Sequence, residues 1–317
     1  MTELLQDVLT TAFIVSLFAT TIRLATPILL AALGELITER AGILNLGVEG
    51  MMLMGAFTGF IVAYFTESLA LGYIMAAVGG GVLALLMAFL ATTLKVDQTI
   101  SGLAINLLAS GMTFYLYRVS TQDIATQTLA NVRITETLHI PYLASIPVLG
   151  PVLFQQHLLT YLAFASVLLI HFFLYRTTYG LELRCLGENP RAVDMKGVPV
   201  GQRQTMAVLF GGLMAGLGGG FLTLSSAGLF VPDITAGRGW IAIAIIIFGN
   251  WQPIRILWAT LFFGLLDSLQ LQLQGVGVQL PYQLLLALPY ILTIVALIVS
   301  RTRSAAPAAL GVPYIRE

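Results

Sequence analysis

The chain has 317 residues, of which 58% are hydrophobic and 9% charged, with a formal net charge of zero. Soluble domains carry about 25% charged residues, so this is the composition of a polytopic membrane protein, and the zero net charge argues against a nucleic-acid partner. A single cysteine, Cys185, excludes a disulfide framework and a cysteine-rich metal site.

A spanning helix needs about 20 mostly apolar residues. The N-terminal MTELLQDV has no basic n-region or cleavage site, so the first apolar run, 9–34, is expected to stay as an anchor. Runs of spanning length follow at 47–66, 70–94, 99–118, 157–175, 204–226, 256–274 and 283–300. The run 239–249 is too short for a full crossing. It is either a tilted helix or a half-helix that breaks near Asn250, tolerated where protein or a watery cavity satisfies the backbone. The fold expected is all-α: one transmembrane domain over residues 1–317, a bundle of about eight to ten spans. Gly212, Gly216 and Gly220 share one helical face, as do Gly55 and Gly59, and favour close packing within one chain over a subunit interface. Gly79, Gly80 and Gly81 suggest a thin or bent stretch.

Charge is concentrated between Arg176 and Arg203, which hold five of the 15 basic residues and three of the 15 acidic ones. Basic residues in short loops mark the cytoplasmic side. By that rule loop 176–203, Arg40, Lys95, Arg255 and the C-terminus with Arg301, Arg303 and Arg316 lie inside. The connection 119–156, with Arg133, and the N-terminus, with Glu3 and Asp7, lie outside. The arrangement implied is a chain that crosses its membrane several times with the C-terminus inside.

Ionisable groups at membrane depth are costly and face the bundle interior or a pathway. Arg23, Glu35, Glu49, Asp97 and Asp267 are of this kind, with the amides Asn45, Gln98, Asn106, Asn250, Gln270 and Gln272. Asp267, Gln270 and Gln274 fall at i, i+3 and i+7, a stripe that suits either a hydroxylated solute or an inter-helix contact. Glu35 and Arg40 read as a structural ion pair, whereas Glu49, at the start of a span, reads less readily as structural. His139, His157 and His171 form no ligand cluster, so no metal site is expected, and no hydrolytic constellation is present.

A P-loop needs Gly-Lys-Ser/Thr. The chain has two lysines, Lys95 after Leu94 and Lys196 after Met195, and neither completes it. An energising partner would have to dock on loop 176–203. There Asn189 and Pro190 signal an N-cap and first turn, with Gly197 and Pro199 as the stop, giving a short helix over Glu188–Met195. A solvated loop with no partner is the other reading of the same spacing.

GELITERAGILNLGVEGMMLMGAF (34–57), YGLELRCLGENPRAVDMKGV (179–198) and GRGWIAIAIIIFGNWQP (237–253) together resemble the membrane permeases of ABC importers. The branch is that for simple sugars and nucleosides, in the ribose-permease superfamily, and within it the subgroup served by a basic-membrane-lipoprotein type binding protein. The resemblance covers about residues 10–305; it lacks the extra N-terminal span of ribose-type members. It implies two permease chains, related or identical, two ATPase subunits that hold ATP and magnesium, and an extracytoplasmic solute-binding lipoprotein. No cofactor is implied on this chain, which would be no enzyme. The resemblance makes Gly187, Glu188, Asn189, Pro190, Arg191, Ala192 and Gly197 the ATPase-coupling segment. It places Asn45, Gly47 and Glu49 beside the translocation path; Asn106, Asn250, Asp267, Gln270 and Gln274 are further pathway candidates from their polarity. The function implied is import of a nucleoside or simple sugar by alternating access. Its rivals are an ion-gradient-driven secondary carrier and a structural membrane subunit with no pathway.

Overall fold

The computed structural model describes residues 11–120, 132–139, 141–144, 146–275 and 306–315. The helices are α1 (Thr11–Arg40), α2 (Val48–Thr66), α3 (Leu69–Ala88), α4 (Gln98–Ser120), α5 (Leu149–Leu153) and α6 (Leu158–Arg176). They continue with α7 (Thr178–Glu188), α8 (Pro190–Asp194), α9 (Val200–Phe221), α10 (Arg238–Phe248) and α11 (Pro253–Gly275). A π-helical turn extends α3 over Phe89–Thr93 and another extends α9 over Leu222–Ala227. Two three-residue strands, β1 (Thr137–His139) and β2 (Gln155–His157), pair antiparallel with Leu138 opposite Gln156. The protein is an all-α polytopic bundle in which seven of the described helices are long and apolar enough to cross a membrane. The expected span 283–300, the basic residues Arg301, Arg303 and Arg316, and Glu3 and Asp7 lie outside the described residues.

The centre is built by backbone approach. A Cβ on Gly216 would lie 2.2 Å from the Ala76 carbonyl oxygen, and one on Gly80 would lie 2.3 Å from that of Gly212. A Cβ on Gly55 would lie 2.4 Å from Gly216 Cα. The small-residue faces therefore seat α9 against α2 and α3 of the same chain, as their spacing suggested. Gly79–Gly81 are the thin stretch of α3, which stays helical to Ala88. Their missing side chains admit Thr58 and α9, and an unbroken ladder is the cheaper state where no water can replace a lost bond.

The ends of the bundle differ. Arg40, Lys95, the 176–203 segment and Arg255 gather at one, the basic end. There Leu44 N donates to Gln98 Oε1 (2.7 Å) and Arg40 Nη2 to the Trp251 carbonyl (2.7 Å). The strand pair occupies the other, where Thr135 N reaches the Leu224 carbonyl (2.9 Å) and Tyr73 Oη meets Ser225 Oγ (2.5 Å). Near this ribbon end Arg23 of α1 donates to Gln156 Oε1.

The short apolar run is a half-helix. Eleven residues of α10 rise about 16 Å, half of a hydrocarbon core roughly 30 Å thick. Its C-terminus turns at the basic end through Asn250 (φ 49°) and Trp251 (φ 54°). The break inside the bundle is at its other end, where Ala236 (φ 46°) and Gly237 (φ 81°) enter the helix.

Candidate functional site

Loop 176–203 folds as two helices. Thr177 Oγ1 accepts from Gly180 N (3.1 Å) to cap α7, whose buried Gly180, Leu183, Leu186 and Gly187 form one stripe. Asn189 Oδ1 accepts from Ala192 N (3.2 Å) and Pro190 opens α8, so the capping expected of this pair is present. Gly197 (φ 78°) supplies the left-handed turn that releases the chain into α9. The expected helix over Glu188–Met195 is shorter at both ends, because Glu188 closes α7. Glu188, Asn189, Arg191, Met195 and Gly197 are exposed, Pro190 and Ala192 half-buried, and Val193 buried. Gly187 points inward: a Cβ there would lie 2.6 Å from the Arg40 carbonyl oxygen. Sequence reasoning missed α7, although its stripe of small and leucine residues is visible in TTYGLELRCLGE.

A second cluster sits in the irregular link between α1 and α2. Non-helical backbone in an apolar interior needs internal partners, and polar side chains supply them. Glu35 accepts from Asn45 N and Asn45 Nδ2, both at 3.1 Å, and Asn45 Oδ1 accepts from Gly47 N (3.0 Å). Asn106 accepts from Gly50 N and donates to the Leu46 carbonyl, both at 2.8 Å. Asn45 is wholly buried, and Asn106 half-buried.

The ion pair expected between Glu35 and Arg40 does not form. Residues five apart on a helix point about 140° away from each other, so Glu35 faces the link while Arg40 faces Trp251. The residue one turn from Glu35, Glu39, is buried and accepts from Trp251 Nε1. Trp251 therefore ties the α10–α11 turn to α1 through two of its groups.

Glu49 closes the broken end of α10, accepting from Gly239 N (2.6 Å) and Gly237 N (2.8 Å). Two charge-assisted bonds, each worth about 1.5–3 kcal/mol, and the positive end of the helix dipole compensate its burial. Beside it Arg238 Nη1 donates to the carbonyls of Ile234 (3.3 Å) and Thr235 (3.2 Å). Arg238, Asp267 and Gln270, with Leu24 and Ile241, line a cavity of about 180 Å³. Small-molecule pockets run to roughly 300–1,000 Å³, so this space holds waters or one polar edge of a solute. The structure thus brings Asp267 and Gln270 to one cavity, with Glu49 on the adjoining helix end. Gln274 is half-buried and does not line it, and Asn250 lies at the opposite end of α10. Arg238 was missed; its signal is a lone arginine opening an apolar run.

At the ribbon end, burial and the Arg23 guanidinium lower the pKa of His157, which stands at the junction of β2 and α6. Among the described residues no group of histidine, cysteine and carboxylate side chains is placed to hold a metal.

The family model described as branched-chain amino acid transport system / permease component matches residues 17–297. The chain is 40% identical over 329 residues, 96% of its length and 99% of the other, to a protein of Haloferax volcanii named provisionally as a glucose ABC transporter permease. It is 38% identical to the guanosine ABC transporter permease protein NupQ of Bacillus subtilis, over 92% of this chain and 94% of that one. Against the nucleoside ABC transporter permease protein NupC of Lactococcus lactis the identity is 33%, over the same shares. No solved structure matches the chain.

Proposed function

We propose, for a chain that belongs to the family of branched-chain amino acid transport system permease components, that the solute is a nucleoside or a simple sugar carried into the cytoplasm. The chain is an ABC transporter permease subunit, a transport component and not an enzyme. Of the three relatives above, two are named for nucleosides and one for glucose, which supports a hydroxylated solute over the branched-chain amino acids of the family's description.

The observation that carries the reading within the molecule is the convergence of Asp267, Gln270 and Arg238 on the broken end of α10. A carboxylate, an amide and a guanidinium offer acceptors and donors to ribose or hexose hydroxyls. The cavity is too small to enclose a whole nucleoside, which fits transient contact during passage, with affinity residing in a separate binding protein. Asn45, Glu49 and Asn106 hold the walls beside it.

Energy enters at the basic end, which on this reading is cytoplasmic. The exposed face of Glu188, Asn189 and Arg191 meets an ATPase subunit that carries ATP and magnesium, while Gly187 seats the element on α1. The assembly includes a second permease chain, related or identical, and an extracytoplasmic lipoprotein that delivers solute to the ribbon end. Membrane lipid surrounds it.

The test is reconstitution in liposomes. Labelled guanosine, ribose and glucose should enter when ATPase, ATP and binding protein are all supplied. Uptake by the permease alone, driven by an ion gradient, would establish the secondary carrier instead. For the docking face, Arg191→Glu should abolish ATPase co-purification while the chain still inserts.

A further inference from the structure

A five-residue helix has no stability of its own, since isolated helices shorter than about 12 residues are marginal in water. What holds α8 is its Asn189 cap, buried Val193, and a segment more than 110 residues later in the chain. Residues 307–314 lie across the junction of α1, α7 and α8. Ala309 N donates to the Gly187 carbonyl (2.7 Å), and Gly311 N to the Gly42 carbonyl (3.2 Å). Ala308 N reaches Glu188 Oε2 (3.4 Å), and Tyr314 Oη donates to Asp194 Oδ2 (2.9 Å).

The local sequence suits this path. Buried Pro307 fixes the entry, and consecutive turns join Leu310 N to the Pro307 carbonyl (3.1 Å) and Val312 N to that of Ala309 (3.2 Å). Gly311 takes φ 79°, which brings the chain back toward α8. Alanines at 308 and 309 let backbone meet backbone at Gly187, where a Cβ would sit 3.0 Å from Pro307 Cβ. Leu310 and Tyr314 pack against the hydrophobic core. Between Val312–Ile315 and the Glu188–Arg191 turn a cavity of about 530 Å³ remains.

We propose that residues 307–314 are a working part of the coupling element: a brace that fixes α8, through Tyr314 and Asp194, to the basic end of α1. The brace rests on the reading of 187–197 as the ATPase-coupling segment. Covalently, α8 is joined only to α7 and α9. The brace adds a connection to α1, which carries the Trp251 contacts of the α10–α11 turn and packs along α11. Movement of α8 then reaches the helices that bear Arg238 and Asp267. Tyr314 and Asp194 are positioning residues, and the brace passes motion without touching solute or nucleotide.

The experiment uses the full assembly of permeases, ATPase and binding protein in lipid nanodiscs. The variants are Tyr314→Phe, deletion of 307–317, and Asp194→Asn, which keeps an acceptor. A spin label at Met195→Cys, in a Cys185→Ser background, is read in the permease assembly before the ATPase is added, so that the mobility of α8 reports the brace and not contact with the ATPase. The label should be immobilised in the parent and in Asp194→Asn, and mobile in Tyr314→Phe and the deletion. Binding-protein-stimulated ATP hydrolysis should fall about three- to tenfold in Tyr314→Phe, as for loss of one link in a coupling network, with the ATPase still co-purifying. Unchanged label mobility and unchanged stimulated hydrolysis in both Tyr314→Phe and the deletion overturn the brace. Should Arg191→Glu retain the ATPase, the docking assignment fails by itself, and the label still decides the brace.

Discussion

The Glu49 carboxylate stands 2.6 Å from the amide nitrogen of Gly239, joining the first turn of α2 to the first turn of α10 across 190 residues of chain. Two backbone donors that helix geometry leaves without partners are satisfied by one side chain where water is scarce. An acid at the start of a span thus holds the half-helix open end in place.

Glu49→Ala should cost about 1–3 kcal/mol, because the buried N–H of Gly239 loses its acceptor while the half-buried N–H of Gly237 can turn to water. Glu49→Gln keeps one acceptor and should fall between the two. Thermal unfolding in detergent, followed by tryptophan fluorescence, reads the difference. Equal melting of Glu49→Ala and the parent would remove this capping bond from the account of stability.

The glycine contacts predict opposite outcomes for one chemical change. Gly216→Ala forces a methyl into the Ala76 carbonyl and should cost about 1–3 kcal/mol by overpacking. Gly201→Ala, in the first turn of α9 with open space around it, should be neutral or raise stability by about 0.5–1 kcal/mol. Melting temperatures of the pair, measured side by side, separate packing from intrinsic helix propensity.

Asp267→Asn and Gln270→Ala should lower nucleoside uptake by about tenfold, near 1.4 kcal/mol, without lowering the melting temperature. Initial uptake rates at saturating binding protein make the comparison. Parent-like rates in the double variant would move the solute contact away from this cavity.

His157 sets a pH dependence. Burial and Arg23 depress its pKa below the unfolded value of about 6.5, so the unfolded chain binds the proton more readily. Its contribution to stability is complete above about pH 6.5, declines as pH falls toward the folded pKa, and is lost below that. Melting recorded at pH 7.5 and 5.5 should show a drop for the parent that is smaller in His157→Gln. An identical drop in both would assign the pH effect to other groups.

Legibility in the sequence followed the range of the interaction. Spans such as 47–66 and 157–175 are read within one window, since each needs only its own apolar residues, and α2 and α6 lie where expected. The Asn189–Pro190 cap is equally local. The glycine face of α9 was readable as a packing surface because its spacing carries the geometry. By contrast, Glu35 was assigned to Arg40 from proximity in sequence, while its partner is set by the path of residues 41–47. Arg238 gains meaning only when α10 breaks beside Asp267, and no window of α10 alone shows that. The brace of 307–314 depends on three distant segments meeting, and none carries a motif for it.

The backbone seams of α9 with α2 and α3 bear on how the protein meets bilayers of different thickness. A helix held by long side chains can change its tilt as those chains adjust, but carbonyl against glycine leaves nothing to adjust. These three helices must therefore lean together as one slab when the hydrocarbon thins. The outer helix α6, with exposed Leu168 and Leu169, can tilt to take up the mismatch.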